Sequence, residues 1–235
     1  MSSSMSVDRP MSGSACELSE LLVGKSIHHA APLQYLPSIL VSGELIAGSI
    51  GAKLGIAPRA SAVRRDRMLG VDRYVHLSFD KNTPLLRDKL AKGMPHVVLT
   101  FDAGAAYLSE PERCALLPFN TKSWRSRSAL QAVADPVEMV FHLRRRAEFG
   151  RFPSLEFLVE ERLSLAHSTC LTVFDRRDLD MVWQIVESLR PQMSPWIRME
   201  VSTSYRVEPA QETYDFLAHC LQRGASIPLP AVDFD

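Results

Sequence analysis

Nothing in this sequence approaches the roughly 18 consecutive apolar residues that a membrane span requires. No Cys-x-x-Cys pair occurs among Cys16, Cys114, Cys170 and Cys220, and no histidine stands at zinc-finger spacing from them. That excludes a small zinc module and leaves reduced, structural cysteines of a cytoplasmic protein as the expectation. Charge of one sign is not in excess either, since the formal net charge is +0. Bulk electrostatics therefore give no sign of a nucleic-acid binder. The common catalytic and nucleotide signatures are missing too: no Gly-x-Gly-x-x-Gly, Walker lysine loop, Gly-x-Ser-x-Gly elbow or His-Glu-x-x-His. Met1 to Ala15 is rich in Ser and Met without the apolar centre of a secretory signal, and reads as a disordered leader.

What is present is an ordinary globular balance, 46% hydrophobic and 23% charged over 235 residues, enough for one well-buried core. The charge is unevenly placed. Lys53 to Arg73 carries six Lys/Arg against two Asp, and Arg113 to Arg151 carries eight against three acids. Such stretches would give a neutral protein one basic face of the kind phosphates use, or simply two solvated loops.

The apolar spacing predicts short helices over Leu18–Leu22 and Leu33–Val41, the second closed by Gly43. Thr83 and Pro84 are placed as N-cap and first residue of a helix running to Ala91. Strands are predicted over Ser26–Ala30, Arg73–Phe79, His96–Phe101, Leu155–Val159, Leu171–Phe174 and Ile197–Tyr205. Helices follow over Asp178–Leu189 and Glu208–Gln222, and Ser49–Gly70 reads as a loop with one helical turn. Strands outnumber long helices without a regular β-α-β run, so the fold class is α+β.

With no ready-made motif, the chemistry must come from polar residues set on apolar strands. Glu156 alternates with Leu155, Phe157 and Val159 and shares its strand face with Ser154 and Leu158. A carboxylate so placed can hold a ribose hydroxyl or stabilise a cationic sugar centre; the plainer alternative is an exposed Glu on a solvated face. His29 stands near a strand end, where a ring N–H can meet a sugar hydroxyl or carbonyl, or serve structure alone. His28 and His29 point to opposite faces and cannot chelate one metal together. Arg59 sits in a Gly-rich loop within reach of a pyrophosphate, or is a surface Arg. Ser78 in its strand is undistinguished by itself.

In order along the chain these segments resemble the DarT toxins, ADP-ribosyltransferases that modify bases in DNA. His29-Ala30-Ala31-Pro32-Leu33-Gln34-Tyr35-Leu36-Pro37-Ser38-Ile39-Leu40, then Gly43, is similar to the family's opening His strand, Asn-Leu-Pro-Ser-Ile-Leu helix and glycine. Ile50-Gly51 to Arg59 resembles the loop ending in its functional arginine. Tyr74 to Phe79 and Thr83-Pro84-Leu85-Leu86 resemble its Tyr-Val-Pro-Phe-Tyr-Phe strand and Ser-Pro-Met-Leu helix start. Leu155 to Val159 resembles the strand of the catalytic glutamate, and Met199 to Tyr205 the closing strand. The likeness spans about residues 26–206. Three departures stand out: Gln34-Tyr35 replaces the family's Asp-Asn, His76 its Pro, and Ser78 an aromatic residue.

The resemblance implies a split pair of twisted β-sheets with flanking helices, and NAD, as substrate, in the cleft between them. It makes Glu156 and Arg59 catalytic and assigns NAD contacts to His29, Ala31, Gly43, Ser78 and Arg59, without a metal. The acceptor is a base of nucleic acid, DNA before RNA. Trp124, Arg125 and Arg127 are candidates to hold it, with Arg144 and Arg145 in the same groove, as aromatic platforms and cations hold single strands. A macrodomain antitoxin is the implied partner, and a toxin–antitoxin or phage-defence role the implied setting; no membrane is involved. The expected layout is a leader over 1–20, the transferase domain over 21–206 and a helical extension over 207–235. The competing expectations are transfer to RNA or protein, or a non-catalytic nucleic-acid-binding module on the same fold.

Overall fold

A computed structural model describes residues 13–53, 66–118, 132–149, 155–189 and 198–201. Arg59, Trp124, Arg125 and Arg127, the helix expected over Glu208–Gln222 and the extension over 207–235 lie outside the described residues. Within them no helix is long and apolar enough to cross a membrane.

Helix α1 (Gly13–Leu22) leads into strand β1 (Ser26–Pro32). It begins earlier than the Leu18–Leu22 spacing predicts and takes in residues 13–20, read from sequence as leader. Leu18 and Leu22, one turn apart, are fully buried and anchor it. A 3-10 turn over Leu33–Tyr35 precedes α2 (Leu36–Ser42), so the expected single helix is broken. Pro37 sits in the first turn of α2, where an N–H would have no intrahelical acceptor, so its missing donor costs nothing. Gly43 ends α2 in the left-handed region (φ 68°), its N–H donating to Ile39.

Strand β2 (Glu44–Ile46) and helix α3 (Gly48–Lys53) follow, and residues 66–69 form a further helical turn before β3 (Tyr74–Ser78). Helix α4 (Pro84–Ala91) starts as the sequence indicates, with Thr83 accepting from the Leu86 N–H at 3.2 Å. Strand β4 (His96–Asp102) is buried along almost all its length, and Asp102 caps α5 (Ala103–Ser109). Then come β5 (Cys114–Leu117), α6 (Pro136–Phe149), β6 (Glu156–Glu160), β7 (Arg162–Ser164), β8 (Ser168–Val173), α7 (Arg176–Leu189) and β9 (Arg198–Val201).

Among the described residues, seven strands form one sheet in the order β5-β6-β3-β1-β4-β8-β9, and β2 pairs with β7 in a second, two-stranded sheet. All pairs in the large sheet are antiparallel except β8 with β9. This is the α+β class with a split sheet. Strand β1 pairs with β4 along its whole length, from Ser26 with Asp102 to Pro32 with His96. To β3 it is joined through a single pair, His28 with Ser78. The sheet is thus two halves, β5-β6-β3 and β1-β4-β8-β9, hinged at one point.

Alternation along the strands sends Ile27, Leu77, Leu99, Phe101 and Phe157 to one face, where they meet α1, α2, α5, α6 and α7 in a continuous core. The other face carries two smaller clusters. Leu86 and Leu90 of α4 pack on Val98 and Phe174, while Leu69 and Val71 pack on Tyr74, Ala115, Leu117 and Leu158. Among the described residues, nothing covers the sheet between those clusters.

Candidate active site

The opening lies over the junction of the two halves. Paired residues of antiparallel strands share a face, so the register places Glu156, Ser78, His28 and Thr100 in one row across β6, β3, β1 and β4. Above this row is a cleft of about 360 Å³ whose walls include His28, His29, His76, Ser78 and Glu156. That volume lies within the usual range for small-molecule sites. Ala47 and Gly48, at the start of α3, close one side together with Asp66 and Asp72; Lys81 and Thr83 close another.

Glu156 is buried, with 7% of its surface exposed, yet it lines the cleft. Its Oε2 accepts a hydrogen bond from His76 Nδ1 at 2.8 Å. The two are diagonal neighbours on the shared face, because His76 stands two residues before Ser78, the partner of Glu156. The second ring nitrogen, Nε2, lies 3.0 Å from the Val71 carbonyl oxygen. Burial works against a charge on His76. The hydrogen bond and charge of Glu156, the Asp66 carboxylate and the Val71 carbonyl outweigh it, so the pKa lies above the ordinary imidazole value.

The neighbouring histidines behave oppositely. Burial lowers the pKa of His28 to about 4, helped by Lys81 against Asp80, so at neutral pH it is uncharged. Its Nδ1 lies 3.1 Å from Thr100 Oγ1. His29 is also held neutral by burial, and its Nδ1–H donates to the His76 carbonyl at 3.0 Å. Because β1 and β3 share only one ladder pair, this side-chain bond ties the strands together where the backbone ladder stops.

The structure brings together three of the residues expected from sequence, Glu156, His29 and Ser78. It places others elsewhere. Ala31 is buried in the core at 3% exposure, and Gly43 caps α2; neither lines the cleft. Arg144 pairs with Glu17 of α1, and Arg145 stacks over Phe141 at 5.9 Å, both on the helix-covered side. Arg59 lies outside the described residues, but the chain on either side of it, Gly48 before and Asp66 after, lines the cleft. Missing from the sequence reading are His28 as a wall of the cleft, Thr100 beneath it and His76 as partner of Glu156. The His76 departure was visible in the sequence, but its meaning depended on the β3–β6 register.

Gln34 and Tyr35, at the family's Asp-Asn positions, are buried away from the cleft lining. Among the described residues no group of three or more His, Cys, Asp or Glu is placed to hold a metal ion.

Neither the family models nor the curated proteins give a match to this chain. Solved structures do. Thermus sp. 2.9 DarT in complex with ADP-ribosylated ssDNA superposes with a TM-score of 0.59 at 17% identity, covering 78% of this chain and 96% of that one. The same protein in complex with NAD+ gives 0.56 at 18% identity, covering 78% and 98%. Thermosipho africanus DarTG in complex with ADP-ribose gives 0.57 at 12% identity, covering 77% of this chain and 50% of that one. Sequences this far apart share an architecture, and the architecture here is the DarT ADP-ribosyltransferase fold.

Proposed function

We propose that this chain is an NAD-dependent ADP-ribosyltransferase that transfers ADP-ribose to a nucleobase of single-stranded DNA and releases nicotinamide. The observation that carries the reading is Glu156, a buried carboxylate facing the cleft at the seam of a DarT fold. A fixed negative charge there suits a sugar carbon that becomes positive as its bond to nicotinamide breaks. Thermus DarT has been seen with NAD+ and with ADP-ribosylated ssDNA, which supports NAD as substrate and DNA as acceptor.

In this reading Glu156 binds a hydroxyl of the nicotinamide ribose and stabilises the developing charge. It also accepts the proton released when a nitrogen or oxygen of the base forms its new bond to the sugar. His29 and Ser78 line the NAD site, and Arg59 contacts the diphosphate. Trp124, Arg125 and Arg127 hold the acceptor strand. Arg144 and Arg145, committed to Glu17 and Phe141, are left out of the acceptor groove, and Ala31 and Gly43 out of the NAD contacts. Uncontrolled base modification is toxic, so a macrodomain antitoxin that removes ADP-ribose, in a toxin–antitoxin or phage-defence system, completes the proposal.

Mass spectrometry of DNA and RNA oligonucleotides incubated with NAD tests it. A mass increase of one ADP-ribose on single-stranded DNA with wild type, absent with Glu156→Ala, is expected. An adduct on RNA alone, or label on protein that nuclease leaves unchanged, would change the acceptor. Intact NAD and oligonucleotide binding without an adduct would favour a non-catalytic module.

A further inference from the structure

The His76 ring meets an acceptor at each nitrogen: Glu156 Oε2 at 2.8 Å from Nδ1 and the Val71 carbonyl at 3.0 Å from Nε2. A carbonyl cannot donate, so Nε2 must carry a hydrogen. A carboxylate cannot donate either, so Nδ1 must carry one as well, which makes the ring an imidazolium. Moving the shared proton to Glu156 would give a neutral pair. The Asp66 carboxylate, which acts on the ring and raises its pKa, opposes that transfer. The ring is largely enclosed, its side chain 22% exposed and that of Glu156 9%. Charge-assisted bonds in such surroundings are stronger and more directional than in water.

We propose that His76 is the positioning residue of the cleft: as an imidazolium bound at both nitrogens, it holds the Glu156 carboxylate in one orientation. The inference rests on the reading of Glu156 as the carboxylate that serves the transfer. At this place the resembled family carries proline, which has no side-chain donor, so the clamp belongs to this chain's own sequence. It also explains why the departure falls here: a histidine two residues before Ser78 lies diagonal to Glu156 on the same sheet face.

Among the described residues, the groups that face His76 are Glu156 from β6, Asp66 from the helical turn before β3, the Val71 carbonyl, and His29 from β1, neutral and bonded to the His76 carbonyl. Asp72, nearby on the cleft wall, is paired with Arg67 at 3.5 Å. Raising the pH through the elevated pKa of His76 removes the Nδ1 or Nε2 proton and breaks one of its two bonds. The clamp is therefore present below the elevated pKa of His76 and is lost as the pH rises through it.

Nitrogen-15 NMR of the histidine rings in the full chain tests the clamp without any turnover. His76 signals, assigned by their loss in His76→Gln, should show both nitrogens protonated at pH 7, with a titration midpoint that falls in Glu156→Gln. A neutral His76 ring at that pH would overturn the proposal. Kinetics then test positioning. In His76→Leu, kcat for NAD consumption should fall about 10- to 100-fold while KM changes by less than about twofold. His76→Gln, which restores one donor to Glu156, should recover much of that loss and remove the alkaline limb from the pH profile. Unchanged kcat in a folded His76→Leu would refute positioning. An imidazolium His76 in a wild type that consumes no NAD would instead refute the enzyme reading while leaving the clamp in place.

Discussion

The two faces of the seven-stranded sheet are built from alternate residues of the same strands and serve different ends. On one face Phe157, Leu77, Ile27, Leu99 and Phe101 lie beneath five helices in a single core. On the other, the apolar cover is divided between the cluster under α4 and the cluster under residues 69–71, and His76, Glu156, Ser78 and His28 occupy the strip between them. Core and cleft row are thereby separated by strand parity, with His29 the exception: it pairs with Leu99 of the core face yet lines the cleft at the seam. Glu156 and Phe157 are neighbours in sequence, but a half-turn of extended chain sends one to the cleft and the other to the core. The polar row survives partial burial because its members bond one another or the backbone.

The separation can be broken most severely at that adjacent pair. Phe157→Ala empties the space of a fully buried ring that meets Phe79 edge-on at 6.3 Å. It should cost about 3–5 kcal/mol in denaturant unfolding. The matched change, Glu156→Gln, keeps an acceptor for His76 and should cost under about 1 kcal/mol. It should nevertheless lower transfer by about 10²- to 10³-fold, as loss of one aligned charge does. Comparable stability losses in both variants would end the distinction between the faces.

A smaller effect is expected at the border of the open face. Thr83→Ala removes the side-chain acceptor that caps α4, the helix covering one end of that face. A loss of about 1 kcal/mol is expected, and faster amide exchange should be confined to α4. Exchange that spreads through β6 would show that the two open-face clusters are not independent.

The smallest change should raise stability. Glu161, between β6 and β7, adopts φ 62°, a left-handed backbone that L-residues with a side chain adopt at a cost. Its N–H donates to the Arg73 carbonyl and its carbonyl accepts from Ala47, so this strained residue joins two segments beside the cleft. Glu161→Gly relieves the strain and should gain up to about 1 kcal/mol in thermal unfolding, since glycine returns part of the benefit as chain entropy.

Legibility differed by element for physical reasons. The His96–Phe101 strand, the Thr83-Pro84 helix start and the Gly43 cap were readable because each depends on neighbours in sequence. Strands β2, β5 and β7 span three or four residues, too short for alternation to show, and are held by partners far along the chain. The length of α1 was missed because Leu18 and Leu22 anchor it in a core built mainly by later segments. Of the residues lining the cleft, Glu156, His29 and Ser78 are named by the resemblance, while the histidine bonded to Glu156 stands in the sequence only as a departure.

By itself the sequence determined the α+β class, the Thr83 and Gly43 caps and the parity of the longer strands, because propensity and side-chain alternation act over a few residues. Which strands pair, and in what register, only the tertiary structure decided. Pairing Ser78 with Glu156 and His28 with Ser78 turned three separate segments into one polar row. It also brought His76 against Glu156 across 80 residues of chain, because a hydrogen bond depends on distance in space and no local pattern encodes it.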